Sequence, residues 1–266
     1  MLLAPSAARI PASFKRWRVD GSRYRNLLHE MQRLRGRVYL QDGAIQESSL
    51  TDGRHQSRLD ASSWHLLVLN AQDRICGCAR FHEHSRIPAL SELNAAHCAL
   101  ARSAEWSGAL VSALRAEIAF STSLELPVVE LGGWAVGEEI RGTAEALRIA
   151  LGTYAFWQML GNAVCISTAT RRHCASSILR RIGGRVLECG GVDLPIYYDP
   201  QYDCDMELLK FYSWAPNPRY TPWVNQLKDE LSQMSIVARH SGSMEPPVYC
   251  QEDWPYPQAR AVTALA

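Results

Sequence analysis

The sequence lacks the features that mark several classes of protein. Its 266 residues contain no apolar run close to the roughly 18 residues of a membrane-spanning helix. No long apolar h-region follows the first residues, so no signal peptide is predicted. Internal repeats are also absent. The formal net charge is only +1, so charge gives no reason to expect a nucleic-acid partner.

The eight cysteines include no CxxC pair. Several lie in apolar strand or helix patterns, which favours reduced, buried thiols in a cytoplasmic protein over a disulfide framework. Between Cys76 and His84 a CxC precedes an HxH, but this is not the spacing of a zinc site, and no metal is predicted. His173 and Cys174 are neighbours in a predicted helix. Adjacent helical side chains point about 100° apart, so these two cannot form a Cys–His catalytic pair.

The composition is that of a globular protein. Hydrophobic residues make up 47% and charged residues 21% of the chain, which suffices for a sizeable core. The length fits one domain with extensions. We expect a flexible arm over residues 1–20, one main domain over 21–214, and a C-terminal helix followed by a Pro-rich polar tail over 215–266.

Hydrophobic periodicity predicts an α/β (α+β) fold with a mixed central sheet and helices on both faces. Helical spacing is found over residues 22–39, 108–122, 142–161, 172–182 and 224–234. Strand patterns cover residues 64–70, 74–82, 127–136, 163–168, 185–189 and 195–198, and residues 206–211 fit either a strand or a short helix. The first two strands are separated by three residues and predict a hairpin, and a long polar loop precedes them over 41–63.

Residues 127–161 organise the chain. An apolar strand holds one acid, Glu130, and is interrupted by Gly132 and Gly133, which predicts a bulge or the close approach of another backbone. The following helix opens at Gly142 and Thr143, where amide groups are accessible to an anion. From these residues alone, a functional site and an ordinary strand–helix unit with Glu130 at its solvent edge are both open interpretations.

In order and in motifs, the stretch from Trp64 to about Phe211 resembles the GNAT acyltransferase fold, which implies a splayed, bulged central strand. The segment ILRRIGG stands where that superfamily has a tyrosine-x-x-x-glycine-phenylalanine motif. Within the superfamily the chain is most similar to the autoinducer synthase and N-acyl amino acid synthase branch. ELGGWAV, residues 130–136, resembles that branch's acid-x-x-arginine-aromatic-x-valine strand, and YYDPQYDCDMELLKF resembles the C-terminal strand region of N-acyl amino acid synthases.

The chain departs from these patterns at three places. Gly133 replaces the strand arginine, which puts lactone-forming chemistry on S-adenosylmethionine in doubt. The phosphate loop is degenerate, because Arg141 and Gly142 are adjacent. Leu179 falls where many acetyltransferases have the tyrosine that protonates the leaving thiolate. The last two departures also characterise the acyl-carrier branch.

The resemblance implies attack by an amine on an acyl thioester, with Glu130 as the general base and its pKa raised by burial. It implies that Arg80 binds the acceptor's carboxylate, with Arg37 and Asp60 on the same side. The donor's pantetheine arm would pair with the strand at Trp134, Ala135 and Val136, where an amide could stabilise the thioester oxyanion. Its phosphate would lie against Arg141, Gly142 and Thr143.

The resemblance thus predicts an N-acyltransferase that acts on an amino-acid-like acceptor. The donor is a long-chain acyl thioester on acyl carrier protein or on CoA, and no tightly bound cofactor is expected. Two alternatives remain open: a conventional acetyl-CoA-dependent N-acetyltransferase, and a non-catalytic acyl-binding protein. The acyl-binding alternative predicts that a neighbouring group already forms hydrogen bonds with Glu130.

Overall fold

A computed structural model describes residues 1–6, 8–84 and 87–239. Their helices and strands follow the predicted order closely. The helices are α1 (Gly21–Gln41), α2 (Ser107–Ser123), α3 (Ala144–Met159), α4 (Ala175–Arg181) and α5 (Thr221–Gln233). The strands are β1 (Leu2–Ala4), β2 (Arg16–Val19), β3 (Trp64–Leu69), β4 (Ile75–Glu83), β5 (Val128–Val136), β6 (Val164–Thr170), β7 (Arg185–Val186), β8 (Glu188–Cys189), β9 (Val192–Asp193), β10 (Tyr197–Asp199), β11 (Cys204–Tyr212) and β12 (Ser235–Ala238).

Ten of these strands form one mixed sheet. Its order is β10-β11-β6-β5-β4-β3-β1-β12-β2, and β7 pairs with β11. Most neighbouring strands are antiparallel, but β5 and β6 run parallel, as do β1 with β12 and β12 with β2. Helices α3 and α5 pack on one face, while α1 and α2 cover the other. The predicted mixed sheet with helices on both faces is confirmed.

The N-terminal segment is not the flexible arm that the sequence suggested. Leu2, Leu3 and Ala4 are fully buried in β1, which pairs with β3 and β12. Residues 16–19 form β2 at the edge of the same sheet. Local sequence favoured a loose segment because of Pro5 and Pro11, whereas the order comes from pairing with a strand more than 200 residues away.

The C-terminal segment also belongs to the sheet. Helix α5 packs on α3, and β12 then pairs with β1 and β2. The predicted helix is therefore present, but a boundary at residue 214 would divide one continuous sheet. The predicted tail beyond residue 239 lies outside the described residues.

Strand β5 carries the predicted bulge. Cys78 pairs with Ala135 and Arg80 with Gly132, so two residues of β5, Gly133 and Trp134, lie opposite one residue of β4. Gly133 has a φ of +60°, the left-handed conformation in which glycine escapes the Cβ clash of other residues.

Beyond the bulge, β5 separates from β6. The parallel pairing ends at Leu131 and Ser167, although β5 continues to Val136 beside β4 and β6 continues to Thr170 beside β11. The edge of β5 that would face β6 is consequently unpaired by β6 from Gly132 onwards. This is the splayed, bulged central strand that the sequence predicted.

Candidate functional site

A row of polar side chains crosses the sheet face beneath α1. Strand β4 supplies Arg80 and His82 to this face, because alternate residues of a strand point the same way. The intervening Ala79 and Phe81 pack in the opposite core. The row begins at Asp60, in the loop before β3, and ends at Glu130 on β5.

Asp60 is buried in a dense set of hydrogen bonds. Arg35 donates from Nη1 to Oδ1 at 3.0 Å and from Nη2 to Oδ2 at 2.6 Å. The Gln32 amide and the backbone N–H of Ser57 also donate to Oδ2, at 2.9 and 3.0 Å. Burial alone would raise the pKa of Asp60, but the hydrogen bonds and charge of Arg35 outweigh it and hold the pKa well below its usual range. Asp60 is thus a fixed carboxylate.

Arg35, not the predicted Arg37, is the α1 arginine of the site. The Arg35 side chain is 1% exposed, whereas Arg37 lies on the exposed face of the helix. Residues two apart on a helix point to nearly opposite sides, so only one of them can reach the sheet. The sequence contained a sign of this, because Arg35 lies at helical spacing from Met31 and Val38 within the apolar stripe.

Arg80 lies between the Asp60 cluster and the bulge. Its Nη1 donates to Ser57 Oγ at 2.7 Å and is 3.6 Å from Asp60 Oδ1. The side chain remains 14% exposed, and its buried Nε has no partner among the described residues. A Cβ at Gly132 would stand 3.2 Å from Arg80 Nη2, so the glycine lets the guanidinium lie against the bulge.

Gly133 is crowded by the same two arginines. A Cβ there would stand 3.1 Å from Arg80 Cβ and 3.2 Å from Arg35 Nη1. Gly133, which stands in place of the motif's arginine, is therefore next to an arginine from another element. Arg35 enters from α1 and places a guanidinium beside the position at which the motif's arginine would begin.

Glu130 is 5% exposed, and four donors satisfy its carboxylate. Oε2 accepts from His84 Nε2 at 2.9 Å, from the backbone N–H of Asn94 at 2.9 Å and from Asn94 Nδ2 at 3.1 Å. Oε1 accepts from the backbone N–H of Ala95 at 2.8 Å. These donors come from His84, which directly follows β4, and from the short 3₁₀ turn Asn94–His97, a segment without a helix or strand pattern in the sequence.

The expectation of a raised Glu130 pKa is wrong. Burial acts in that direction, but the hydrogen bonds from His84, Asn94 and Ala95 lower the pKa below its ordinary value. Sequence reasoning missed His84 as a partner because the HxH was weighed only as a metal motif. Within residues 1–6, 8–84 and 87–239, no group of three or more His, Cys, Asp or Glu is placed to hold a metal ion.

His82 lies beside both clusters. Its Nδ1 is 3.1 Å from Ser63 Oγ, and its ring meets that of His84 edge-on, with the centroids 4.7 Å apart. The side chain is only partly buried. Burial, His84 and Arg80 lower the pKa of His82 to about 4, so the imidazole is neutral near pH 7. The sequence placed His82 on the same strand face as Arg80 but gave no reason to single it out.

The predicted donor-binding residues of β5 lie along the splay. Trp134 is the second residue of the bulge, Ala135 and Val136 follow it, and this stretch is bordered by β4 on one side only. The Trp134 carbonyl accepts a 3.5 Å hydrogen bond from the Tyr39 hydroxyl, and its buried indole N–H has no partner among the described residues. Their role in binding a pantetheine arm stays a prediction.

The predicted phosphate site at the start of α3 is already partly occupied by intramolecular contacts. The Thr143 N–H donates to the Ile140 carbonyl at 3.2 Å, so this amide is not free for a phosphate. Arg141 forms a 2.8 Å ion pair with Asp42 at the end of α1, with its side chain 41% exposed. Gly142 has a φ of +76°, and a Cβ there would meet only open space.

No protein-family model and no curated protein matches the chain. Solved structures do resemble it. One is a CoA-dependent acyl-homoserine lactone synthase, BjaI, with SAM and isopentyl-CoA. It has a TM-score of 0.52 and 17% sequence identity, and the match covers 91% of this chain and 94% of that one. The same synthase with MTA gives 0.52 at 18% identity, with the same coverage.

The chain has the fold of an acyl-homoserine lactone synthase. The expected likeness in fold to the autoinducer synthases is therefore confirmed. FeeM, an N-acyl amino acid synthase from uncultured soil microbes, also matches, with a TM-score of 0.46 and 11% identity over 73% of this chain and 87% of that one. In the part of the chain that the structure describes, no helix is long and apolar enough to cross a bilayer.

Proposed function

We propose that the chain is an N-acyltransferase that moves a long-chain acyl group from a thioester to the amine of an amino-acid-like acceptor. The observation that carries the proposal is the position of Arg80, beside the bulge at which β5 separates from β6. An anion-binding side chain and an unpaired strand edge are thereby adjacent. An amine acceptor and an acyl thioester need these two features side by side.

The acceptor would bind at a cluster of side chains that carries a net positive charge. Arg35 and Arg80 contribute two positive charges and Asp60 one negative charge, which leaves one positive charge uncompensated within this cluster. Arg35 is buried and donates from both terminal nitrogens to Asp60, whereas Arg80 is partly exposed and donates only from Nη1, to Ser57, among the described residues. A guanidinium matches a carboxylate with two parallel hydrogen bonds. Arg80 therefore binds the acceptor's carboxylate, and Asp60 holds the two arginines instead of contacting the substrate.

The donor would bind along the edge of β5 that β6 leaves unpaired. Buried backbone N–H and C=O groups need partners, and from Gly132 to Val136 the side of β5 that faces the splay has none from β6. A pantetheine arm carries two amides that can pair with such an edge. Arg141, next to the open Gly142, would exchange its partly exposed ion pair with Asp42 for a phosphate at the mouth of the splay.

The donor's carrier is part of the proposal. The degenerate phosphate loop and Leu179 in the sequence favour acyl carrier protein, while the synthase of the same fold is CoA-dependent by name. Both donors share the pantetheine arm that the splay would hold. A cytoplasmic location accompanies this proposal, because such thioesters are cytoplasmic metabolites.

A non-catalytic acyl-binding protein is the second candidate, and one observation favours it. Glu130, the expected base, accepts four hydrogen bonds and is almost fully buried. If no other group accepts the amine's proton, the fold would bind a thioester without turning it over.

A mass-spectrometric product screen tests the function. The protein is incubated with acetyl and long-chain thioesters of acyl carrier protein and of CoA, with a pool of amino acids and S-adenosylmethionine as acceptors. We expect a long-chain N-acyl amino acid from wild type and from Arg33→Met, an exposed α1 control, but not from Arg80→Met. Acetylated products alone would support a conventional N-acetyltransferase, and no product from folded wild type would support the binding protein.

A further inference from the structure

We propose that His82 is the catalytic base: its Nε2 takes the proton of the attacking amine. This inference rests on the proposed N-acyl transfer and names the group that performs its proton transfer. The starting observation is that Glu130, the carboxylate expected in this role, already accepts from His84, Asn94 and Ala95. His84 is likewise committed, because its Nε2 donates to Glu130.

The hydrogen bonds of Ser63 fix the tautomer of His82. The Ser63 hydroxyl donates its single proton to the Leu59 carbonyl, at 2.6 Å. At the 3.1 Å contact with His82 Nδ1, Ser63 Oγ can then only accept. Nδ1 therefore carries the hydrogen, and the lone pair of the neutral ring is on Nε2. Among the described residues, the side-chain partner of the His82 ring is Ser63, and it lies at Nδ1.

The surroundings keep this ring neutral. Arg80 faces it from β4, His84 from just beyond the end of β4, and Glu130 from β5. Burial, His84 and Arg80 lower the pKa of His82 and so disfavour the imidazolium. These effects exceed those of Glu130 and the Ser62 carbonyl, which raise the pKa. A neutral imidazole with a free Nε2 is the form that a proton acceptor requires.

The position of His82 matches that of the acceptor's amine. His82 and Arg80 are two residues apart on one strand face, a separation of about 7 Å along the strand. An α-amino acid whose carboxylate is bound by Arg80 can therefore extend its amine toward His82. The bulge, with the thioester beside it, flanks the same pair, because Arg80 pairs with Gly132 and His82 with Glu130.

Each proton of the attacking amine has a defined acceptor in the proposed reaction. An acceptor that arrives as an ammonium ion first loses one proton to water. The neutral amine then forms the C–N bond with the thioester carbon while His82 Nε2 accepts the nitrogen's second proton. The C–S bond breaks, and the leaving thiolate takes that proton from the imidazolium. The products are an amide and a thiol, and His82 returns to its neutral form.

Steady-state kinetics of His82 variants test the assignment. We expect His82→Gln to lower kcat by about 100-fold or more, with little change in the KM of the donor. Imidazole added to His82→Ala should restore part of the rate, which a purely structural role would not allow. The control is His97→Gln, since His97 is exposed and donates to the Ser91 carbonyl outside the site. Circular dichroism verifies that each variant is folded.

Nitrogen-15 NMR of the imidazole rings tests the geometric basis without any turnover. We expect the Nδ1–H tautomer for His82 in wild type and its loss in Ser63→Ala. An Nε2–H tautomer in wild type, or a kcat of His82→Gln within threefold of wild type, would overturn the assignment. If wild type makes no product from any thioester, the acyltransferase function itself is overturned. If wild type is active and His82→Gln is equally active, only the assignment of His82 is overturned.

Discussion

Two buried carboxylates at either end of one polar row are stabilised in different ways. Asp60 lies against permanent cations, with Arg35 at 2.6 Å and Arg80 at 3.6 Å. Glu130 lies against two backbone amides, an asparagine and a histidine. The first arrangement has more positive than negative charge, and the second satisfies an acid with hydrogen-bond donors.

The two carboxylates therefore have different roles: the Asp60 cluster can bind a substrate, whereas Glu130 stabilises the fold around it. A cluster with an uncompensated cation near solvent can accept an anionic substrate group, and Arg80 is the exposed member of that cluster. A carboxylate surrounded by donors instead fixes the segment that supplies them, here the turn Asn94–His97. His82 lies between the two, with one nitrogen held by Ser63.

The largest expected effect comes from breaking the Asp60 cluster. Arg35→Met leaves a buried carboxylate without its main cation, and should lower the free energy of unfolding by about 3–5 kcal/mol. Arg37→Met, two residues away on the exposed face, should change it by no more than about 0.5 kcal/mol. Urea denaturation measures both, and equal effects would contradict the placement of Arg35 in the core.

Glu130→Gln should have a smaller effect. The amide NH₂ would face donors from His84 or Asn94, so at least one hydrogen bond is lost and the unfolding free energy should fall by about 1–3 kcal/mol. Fluorescence-monitored urea unfolding gives the difference. If the variant were as stable as wild type but inactive, Glu130 would be a catalytic group and not a scaffold.

The bulge gives a still smaller effect with an internal control. Gly133→Ala and Gly142→Ala both place a side chain at positive φ, which costs about 1–2 kcal/mol. Only at Gly133 would the new Cβ also meet Arg80 and Arg35 at 3.1–3.2 Å, whereas at Gly142 the space is open. Gly133→Ala should therefore be the more destabilised of the two in thermal melts, and the reverse order would refute the close approach of the arginines.

Acidification should lower the stability of the fold gradually. Burial lowers the pKa of His55, His65 and His82 to about 4, below the usual value of 6.5. The unfolded chain therefore binds more protons than the folded chain between these values. This contribution to stability is present above about pH 6.5 and is lost as the pH falls toward 4. The Tm should fall between pH 7 and about pH 5, and a Tm that rose over this interval would contradict these shifts.

Local periodicity was sufficient for most of the architecture. The hairpin, the bulged strand and the helix after it follow from apolar spacing and from Gly132 and Gly133. The two terminal strands were not predictable in this way, because Leu2–Ala4 and Ser235–Ala238 are ordered by pairing with each other, with β2 and with β3.

The candidate site was harder to predict than the fold. Alternation along β4 indicates that Arg80 and His82 share one strand face, and helical spacing could have identified Arg35. Nothing in the sequence near Glu130 revealed that its donors come from residues 94 and 95, some 36 positions earlier. The direction of its pKa shift depended on those contacts, and burial alone suggested the opposite.

The most direct test of this account is the effect of Arg80→Lys on the two Michaelis constants. Lysine keeps the charge but loses the two-bond geometry for a carboxylate. We predict that the KM of the amino-acid acceptor rises about tenfold or more, while the KM of the acyl thioester is unchanged and Arg33→Lys alters neither. A rise in the thioester KM with a constant acceptor KM would contradict the account, because Arg80 would then serve the donor.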